Sequence, residues 1–417
     1  MPKLARIKDE PVFITIQGKT AVNVCVLGMG YIGLPTAALL ANAGHNVLGV
    51  DINPDVVNTI NQGSIHIEEP GLAQAVKTAV DSGKLTAAEA PQAAEVFIIA
   101  VPTPFKDGNV PDMSYVQSAA TAIAKVASEG ALVLLESTSP VGATEHDVKD
   151  IIEAERGDLK DKLHYVFCPE RAIPGNTLTE MVKNDRVVGG LTEAATSRAI
   201  EFYKSFVEGE LLPTDAATAE MVKLTENASR DVQIAFANEL ANVCEHSGLD
   251  VWKVIQLANQ HPRVSILNPG PGVGGHCIAV DPWFIINSAK EHTPLMQTAR
   301  AINDGRPAHV VGQVLEAMKG LNNPSIGVLG LAFKGNVDDT RQSPAVDVLR
   351  ALQKATNAKI QVCDPHVQHF DGVELTDIQT ASTCDVVVIL TDHDEFKDLG
   401  GKIHGKVIDT RGVLKKV

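Results

Sequence analysis

One pattern constrains this chain more than any other: strand-like apolar runs alternating with helical segments, laid down once near each end. Near the start, "VNVCVLG" (Val22–Gly28) leads through a glycine-rich turn into the helical "LPTAALLANAG". "NVLGVD" (Asn46–Asp51), "EVFIIAVPTP" (Glu95–Pro104) and "ALVLLESTSP" (Ala131–Pro140) follow as further strands. Near the end, "SIGVLGLAF" (Ser325–Phe333), "KIQVCDP" (Lys359–Pro365), "DVVVILTDH" (Asp385–His393) and "KVIDTRG" (Lys406–Gly412) repeat the order. Such alternation builds βαβ units around a parallel sheet, whose strands are covered on both faces and so read as continuous apolar runs. The expected fold class is α/β, with two Rossmann-like doubly wound domains. Their likeness is evidence for architecture, not for a shared ligand.

Between them, Thr214 to about His261 reads as one long helix or two abutting ones, with Met221, Leu224, Val232, Ala235, Leu240 and Val243 roughly on a helical period. A helix joining two such domains is a natural axis for packing two copies of the chain. At 417 residues the chain exceeds one ordinary core, in keeping with several domains.

The formal charge of −15 argues against a general nucleic-acid binder, but leaves room for a small anionic ligand held by a local cluster of Arg and Lys. None of the six cysteines forms a C-x-x-C pair, so no metal site is expected. The first twenty residues lack the apolar stretch of a signal peptide, and no run is long enough to span a bilayer. A cytoplasmic protein without membrane partners is expected.

The first turn, "GMGYIG", places Gly28, Gly30 and Gly33 in G-x-G-x-x-G spacing between a strand and a helix, and Asp51 closes the next strand. In that context the glycines are a dinucleotide fingerprint: a tight turn, close approach to a pyrophosphate, and close strand–helix packing. Asp51 would accept from ribose hydroxyls and repel a 2′-phosphate, which favours NAD over NADP. The corresponding late turn, "GLAFKGNVDDTRQSP", lacks the three glycines and carries Lys334 and Arg341. It reads either as a second phosphate-ligand loop or as a solvated loop with two surface cations.

"TAEMVKLTENASRD" puts Glu220, Lys223, Asn227 and Arg230 on one helical face. This is either a solvated face with a Glu220–Lys223 pair, or a set in which Lys223 and Asn227 turn toward a ligand to stabilise an oxyanion. "PGPGVGGHCIAVDPWF" surrounds Cys277 with glycines and precedes a helix, with Asp281 as expected N-cap and Pro282 in the first turn. A thiol near a helix N-terminus is activated, whereas most free cysteines are buried and inert. His276, adjacent in sequence, is a weak candidate for a base.

Taken together, "GMGYIGLPTAA", "AVPTPFKDGNVPDMSYV", "ESTSPVGATE", "CPERAIPGN", "TAEMVKLTENASRDVQIAFANEL", "HPRVSILNPGPGVGGHCIAVDPWF" and "LAFKGNVDDTRQSPA" resemble the UDP-glucose/GDP-mannose dehydrogenase family over nearly the whole chain. After an N-terminal arm (1–20) to which it gives no role, the resemblance implies an NAD-binding domain (21–212), a central helical domain with the cysteine loop and a homodimer contact (213–305), and a UDP-sugar-binding domain (306–417). It implies oxidation of a sugar C6 alcohol to a carboxylate, with Cys277 as nucleophile. Lys223 and Asn227 would be oxyanion partners, Asp281 would orient water or help proton transfer with Lys223, and Glu170 and Thr138 would assist water and cofactor placement. NAD would lie against Gly28, Gly30, Tyr31, Ile32, Gly33, Asp51, Thr103 and Thr138. The UDP-sugar would meet Glu170, Arg171, Lys223, Asn227, Arg230, His261, Gly274, Lys334 and Arg341, with Arg263 reaching the substrate from a neighbouring subunit. Val280 before Asp281 and the "STSPVG" motif depart from UDP-glucose dehydrogenases and point to an acetamido sugar.

Overall fold

The computed structural model describes residues 21–173, 175–275 and 277–414, with Asp107 as backbone only; the expected N-terminal arm and His276 lie outside the described residues. The chain divides into two compact units, Met1–Leu224 and Thr225–Val417, and the division falls inside the helix Ala216–His246.

In the first unit the strands are β1 (Asn23–Leu27), β2 (Asn46–Val50), β3 (Leu85–Ala88), β4 (Val96–Ile99), the short pair β5 (Phe105–Lys106) and β6 (Val110–Pro111), then β7 (Leu132–Leu135), β8 (His164–Phe167), β9 (Arg186–Gly190) and β10 (Leu211–Asp215). Eight of them form one sheet in the order β10-β9-β8-β7-β4-β1-β2-β3, parallel except where β8 meets β9. Successive residues of a strand face opposite sides. Val24 and Val26 therefore enter one buried layer, while Cys25 and Leu27 enter the other. Between β1 and β4 the order reverses, which opens a crevice at the carboxyl ends of the strands.

The second unit carries β11 (Ser325–Leu329), β12 (Lys359–Cys363), β13 (Val386–Ile389) and β14 (Lys406–Asp409), all parallel in the order β12-β11-β13-β14. It too is covered on both faces: Val386 and Val388 join one cluster, Val387 and Ile389 the other. Both expected α/β sheets are present. β3, β8, β9 and β10 add to the strands read from sequence.

The expected long helix is two, Ala216–His246 and Val251–Ala258. Its buried positions follow the apolar period only in part: Leu224 and Ala235 are buried, while Met221 and Val243 are exposed. Within the second unit, Ala228, Asp231, Ala235 and Asn238 face inward, whereas Phe236 and Val243 are exposed. The reason is polar. Asp231 accepts from Arg300 Nη1 at 2.7 Å and from Asn303 Nδ2 at 2.8 Å, and Asn238 Nδ2 donates to Asn303 Oδ1 at 2.9 Å. This ladder joins the helix to Pro294–Met318.

Candidate active site

The dinucleotide turn follows β1. Gly28 has φ +93°, a conformation that side chains disfavour, and its N–H donates to Val50 O at 2.8 Å. A β-carbon on Gly33 would overlap the carbonyl oxygen of Gly28, while one on Gly30 would meet nothing within 4 Å. The fold needs Gly33 bare for packing, and the surface beside Gly30 is open for a ligand. Met29 N donates to Asp51 Oδ2 at 3.1 Å and Asn53 N to Asp51 Oδ1 at 2.9 Å, so the carboxylate is tied to the turn. Tyr31 is exposed and Ile32 half-buried at the start of the helix Gly33–Asn42. Thr103 and Thr138 are half-buried and follow the neighbouring strands β4 and β7. These residues collect at the carboxyl ends of β1, β4 and β7, and the cradle fits a dinucleotide pyrophosphate.

Glu220 corrects the solvated-face reading of the polar stripe. It is fully buried and accepts from Gly142 N at 2.6 Å and from Thr144 N and Oγ1 at 2.8 and 2.6 Å. It thus caps the "SPVGAT" loop and does not pair with Lys223. Burial pushes its carboxyl pKa up, partly offset by those bonds. Lys223, also buried, donates from Nζ to the backbone oxygen of Glu170 at 2.9 Å.

The Glu170 carboxylate is turned inward. Its Oε1 accepts from Arg171 N and Ala172 N at 2.6 and 2.7 Å, and its Oε2 accepts from Arg186 Nη2 at 2.7 Å. Arg171 donates to Asp185 O. Behind Glu170 lies a buried cluster that sequence reading missed. Glu136 Oε1 stands 3.7 Å from Arg186 Nη1 and accepts from Tyr203 Oη at 2.7 Å. Burial pushes the Glu136 carboxyl up to about 7 against the pull of Arg186, with Glu170 adding to the rise. Burial alone would lower the Arg186 pKa, but Glu170 beside it reverses this and holds the guanidinium charged.

In the second unit, Asp281 corrects the expected N-cap. It is the first residue of the helix Asp281–Ser288, preceded by Val280, and its buried carboxylate accepts from Asn227 Nδ2 at 2.6 Å. Pro282 occupies the first turn, as expected. Cys277 opens the preceding turn: its carbonyl accepts from Val280 N at 3.0 Å and Asp281 N at 2.8 Å. The structure thereby brings Cys277, Asp281 and Asn227 together. Of the six thiols only Cys277 is exposed. Burial pushes Cys25 and Cys168 up to about 11 and Cys363 up to about 12, which makes them poor nucleophiles.

The cysteine loop is held from two directions. Gly270 N donates to Asn238 Oδ1 at 2.8 Å, and Arg306 Nε donates to Gly270 O at 3.0 Å. A β-carbon on Gly274 would lie 2.6 Å from Gln342 O and 2.9 Å from Phe333 Cβ, and one on Gly275 would lie 3.0 Å from the Phe333 ring. Gly274 thus packs on the loop that bears Lys334 and Arg341. Lys334 is exposed, and Arg341 forks onto Asp339 at 2.9 and 2.7 Å. Arg230, His261 and Arg263 are exposed. Among the described residues none of the three bonds to the Cys277–Asp281 turn.

Family models match this chain in three consecutive stretches: the NAD binding domain of the UDP-glucose/GDP-mannose dehydrogenase family over residues 22–207, its central domain over 217–305, and its UDP binding domain over 327–416. The chain belongs to the UDP-glucose/GDP-mannose dehydrogenase family and is an NAD-dependent dehydrogenase. It is 49% identical to an NDP-N-acetyl-D-galactosaminuronic acid dehydrogenase of Ralstonia nicotianae over 94% of this chain and 96% of the other. To a UDP-N-acetyl-D-mannosamine dehydrogenase of Escherichia coli (strain K12) it is 48% identical, over 94% and 99%. The solved UDP-N-acetyl-mannosamine dehydrogenase of Staphylococcus aureus superposes with a TM-score of 0.86 at 43% identity, covering 95% of this chain and 96% of that one.

Proposed function

We propose that this dehydrogenase oxidises the C6 hydroxyl of UDP-N-acetyl-D-mannosamine to the carboxylate, in two successive oxidations at one site. The balance is one alcohol, two NAD⁺ and one water, giving one carboxylate, two NADH and three protons. Bound NAD⁺ supplies the hydride acceptor for each oxidation. The observation that carries the reading is the turn in which the one exposed thiol, Cys277, is hydrogen-bonded through its backbone to Asp281, whose carboxylate is bonded to Asn227.

The first oxidation yields an aldehyde. The Cys277 thiolate adds to its carbonyl carbon, forming a C–S bond and a thiohemiacetal. Loss of a second hydride leaves a thioester. Water, oriented by Asp281, attacks the acyl carbon; the C–S bond breaks and the thiolate returns. Covalent capture keeps the aldehyde from escaping while cofactors exchange. Lys223 and Asn227 donate to the oxyanion formed at each addition. Glu170 acts through its backbone, which sets the position of Lys223, in place of the water-assisting role first expected of its carboxylate.

The sugar assignment draws on the Escherichia coli and Staphylococcus aureus relatives; the Ralstonia relative supports a galactosamine epimer as second reading. The domain limits 21–212, 213–305 and 306–417 are proposed with it. A homodimer is proposed through the central helices, supported by exposed Phe236, Val243, Leu249 and Leu257. Among the described residues no helix is long and apolar enough to cross a membrane. A cytoplasmic enzyme supplying an acidic sugar nucleotide for surface polysaccharide synthesis is the reading we adopt.

The test is a panel of UDP-N-acetylmannosamine, UDP-N-acetylgalactosamine, UDP-N-acetylglucosamine and UDP-glucose, with NADH counted per sugar consumed. Two NADH with the mannosamine sugar preferred is the expected result. One NADH per sugar would make this a two-electron dehydrogenase with a structural Cys277. No NADH with any sugar would leave only nucleotide binding.

A further inference from the structure

The two sheets share a device at the end of their second strand, and the second unit uses it differently. In the first unit Asp51 follows β2, is half-exposed and accepts from a turn amide, Met29 N. In the second unit Asp364 follows β12 and is buried. Its Oδ2 accepts from Leu331 N at 2.7 Å, Ala332 N at 3.0 Å and His393 Nε2 at 3.0 Å. Its Oδ1 accepts from His366 N and Val367 N at 2.9 and 3.2 Å. Where a dinucleotide ribose would approach in the first unit, the second is sealed by a fully buried imidazole. The repeat of architecture therefore carries no second dinucleotide site.

The imidazole does more than fill space. Asn336 N donates to His393 Nδ1 at 2.9 Å, so Nδ1 is an acceptor and the proton sits on Nε2, facing Asp364. Asn336 stands at φ +60°, in the left-handed region, which asparagine adopts more readily than most residues. The rest of the segment after β13 grips the same loop: Asp394 N donates to Asn336 Oδ1 at 3.0 Å and Thr391 Oγ1 to Ala332 O at 2.7 Å. Lys334 lies at the centre of this clamped stretch. Phe333, beside it, packs on Gly274 and Gly275, next to the cysteine turn.

His393 also belongs to a group with His366 and Glu395 whose ligand atoms lie within 4.8 Å of one another. A cation there would have to take Nε2 from Asp364 or Nδ1 from Asn336. The imidazole is already committed on both sides, so the group reads as part of the clamp.

We propose that His393, oriented by Asp364, is a positioning residue that fixes the backbone carrying Lys334 for the diphosphate of the substrate. This rests on the UDP-sugar reading above. His393 touches no substrate; it acts through Asn336 N–H and the loop 331–336.

The test separates the two faces of the ring. His393→Asn keeps an acceptor near the Nδ1 position; His393→Gln keeps a donor near the Nε2 position and loses the acceptor. The probe is UDP, with NAD⁺ as control, both by calorimetry on the full chain. Loss of one hydrogen bond that orders the loop should weaken UDP binding about tenfold in His393→Gln, with His393→Asn close to wild type and NAD⁺ affinity unchanged in both. UDP affinity unaltered in His393→Gln, or UDP and NAD⁺ affinity lost together in both variants, would overturn the proposal. A second measurement uses the unaltered protein: the Asn336 amide should resist hydrogen exchange and slow further with UDP, and rapid exchange there would also overturn it. Wild-type protein that binds no UDP would overturn the UDP-sugar reading itself, and so differs from failure of the clamp alone.

Discussion

The ammonium of Lys223 donates to the backbone carbonyl of Glu170 at 2.9 Å, while the Glu170 carboxylate faces the other way, onto Arg186. A lysine held by a carbonyl keeps its positive charge unneutralised and its direction fixed, as an oxyanion partner requires. Lys223→Met should lower kcat by about 10²–10³-fold, with NAD⁺ binding little changed. Stopped-flow NADH production checks this, and activity within a few-fold of wild type would remove Lys223 from the chemistry.

Exposure singles out Cys277 among six thiols. Brief iodoacetamide treatment of the folded enzyme should add one carbamidomethyl group per chain, located by peptide mass, with activity lost in parallel. Cys277→Ser should resist labelling and fail to complete the second oxidation. Labelling spread over the other cysteines, or full turnover by the serine variant, would argue against the nucleophile assignment.

Gly30 and Gly33 differ in what a methyl group would meet. Gly33→Ala forces a β-carbon into the Gly28 carbonyl and should destabilise the unliganded protein by about 3 kcal/mol. Gly30→Ala has open space and should leave thermal stability unchanged while weakening NAD⁺ binding. Thermal melts with and without NAD⁺ distinguish the two, and equal effects in both variants would refute a ligand-facing Gly30.

Glu136 makes stability depend on pH. Its folded pKa of about 7 lies above the ordinary value of 4.5, so the folded state prefers it protonated. That contribution is full below pH 4.5 and is lost as pH rises toward 7, because the unfolded chain releases the proton first. Glu136→Gln should therefore melt at a higher temperature than wild type at pH 8 and show a smaller advantage at pH 5. A constant difference between the two melting curves would contradict the raised pKa.

Strands covered on both faces announce themselves as apolar runs, and β1, β2, β4, β7 and all four strands of the second unit were legible for that reason. β9 begins with Arg186 and ends in two glycines, and β10 holds Pro213 and Asp215, so neither reads as a buried strand. At the site, the glycine turn stood out through local spacing, whereas Cys277, Asn227 and Asp281 were singled out by the resemblance of their motifs to the family. Glu220 was not, because its partners lie about 76 residues away and a helical wheel cannot show them. Arg186, Glu136 and Tyr203 were hidden likewise. The Asp364–His393 pair was half visible: Asp364 occupies the place of Asp51 in the repeat, but the histidine that seals it comes from another strand end.

Gly274 has no room for a side chain because Gln342 and Phe333 occupy it, and Gly275 lies tight against the Phe333 ring. The loop that leads to Cys277 and the loop that carries Lys334 are thus cut to one another's shape. Exchanging either loop alone with that of a relative that prefers a different sugar should yield a misfitted enzyme. A productive graft would have to carry Gly272 and Pro344, and the stretches around them, as one inherited piece.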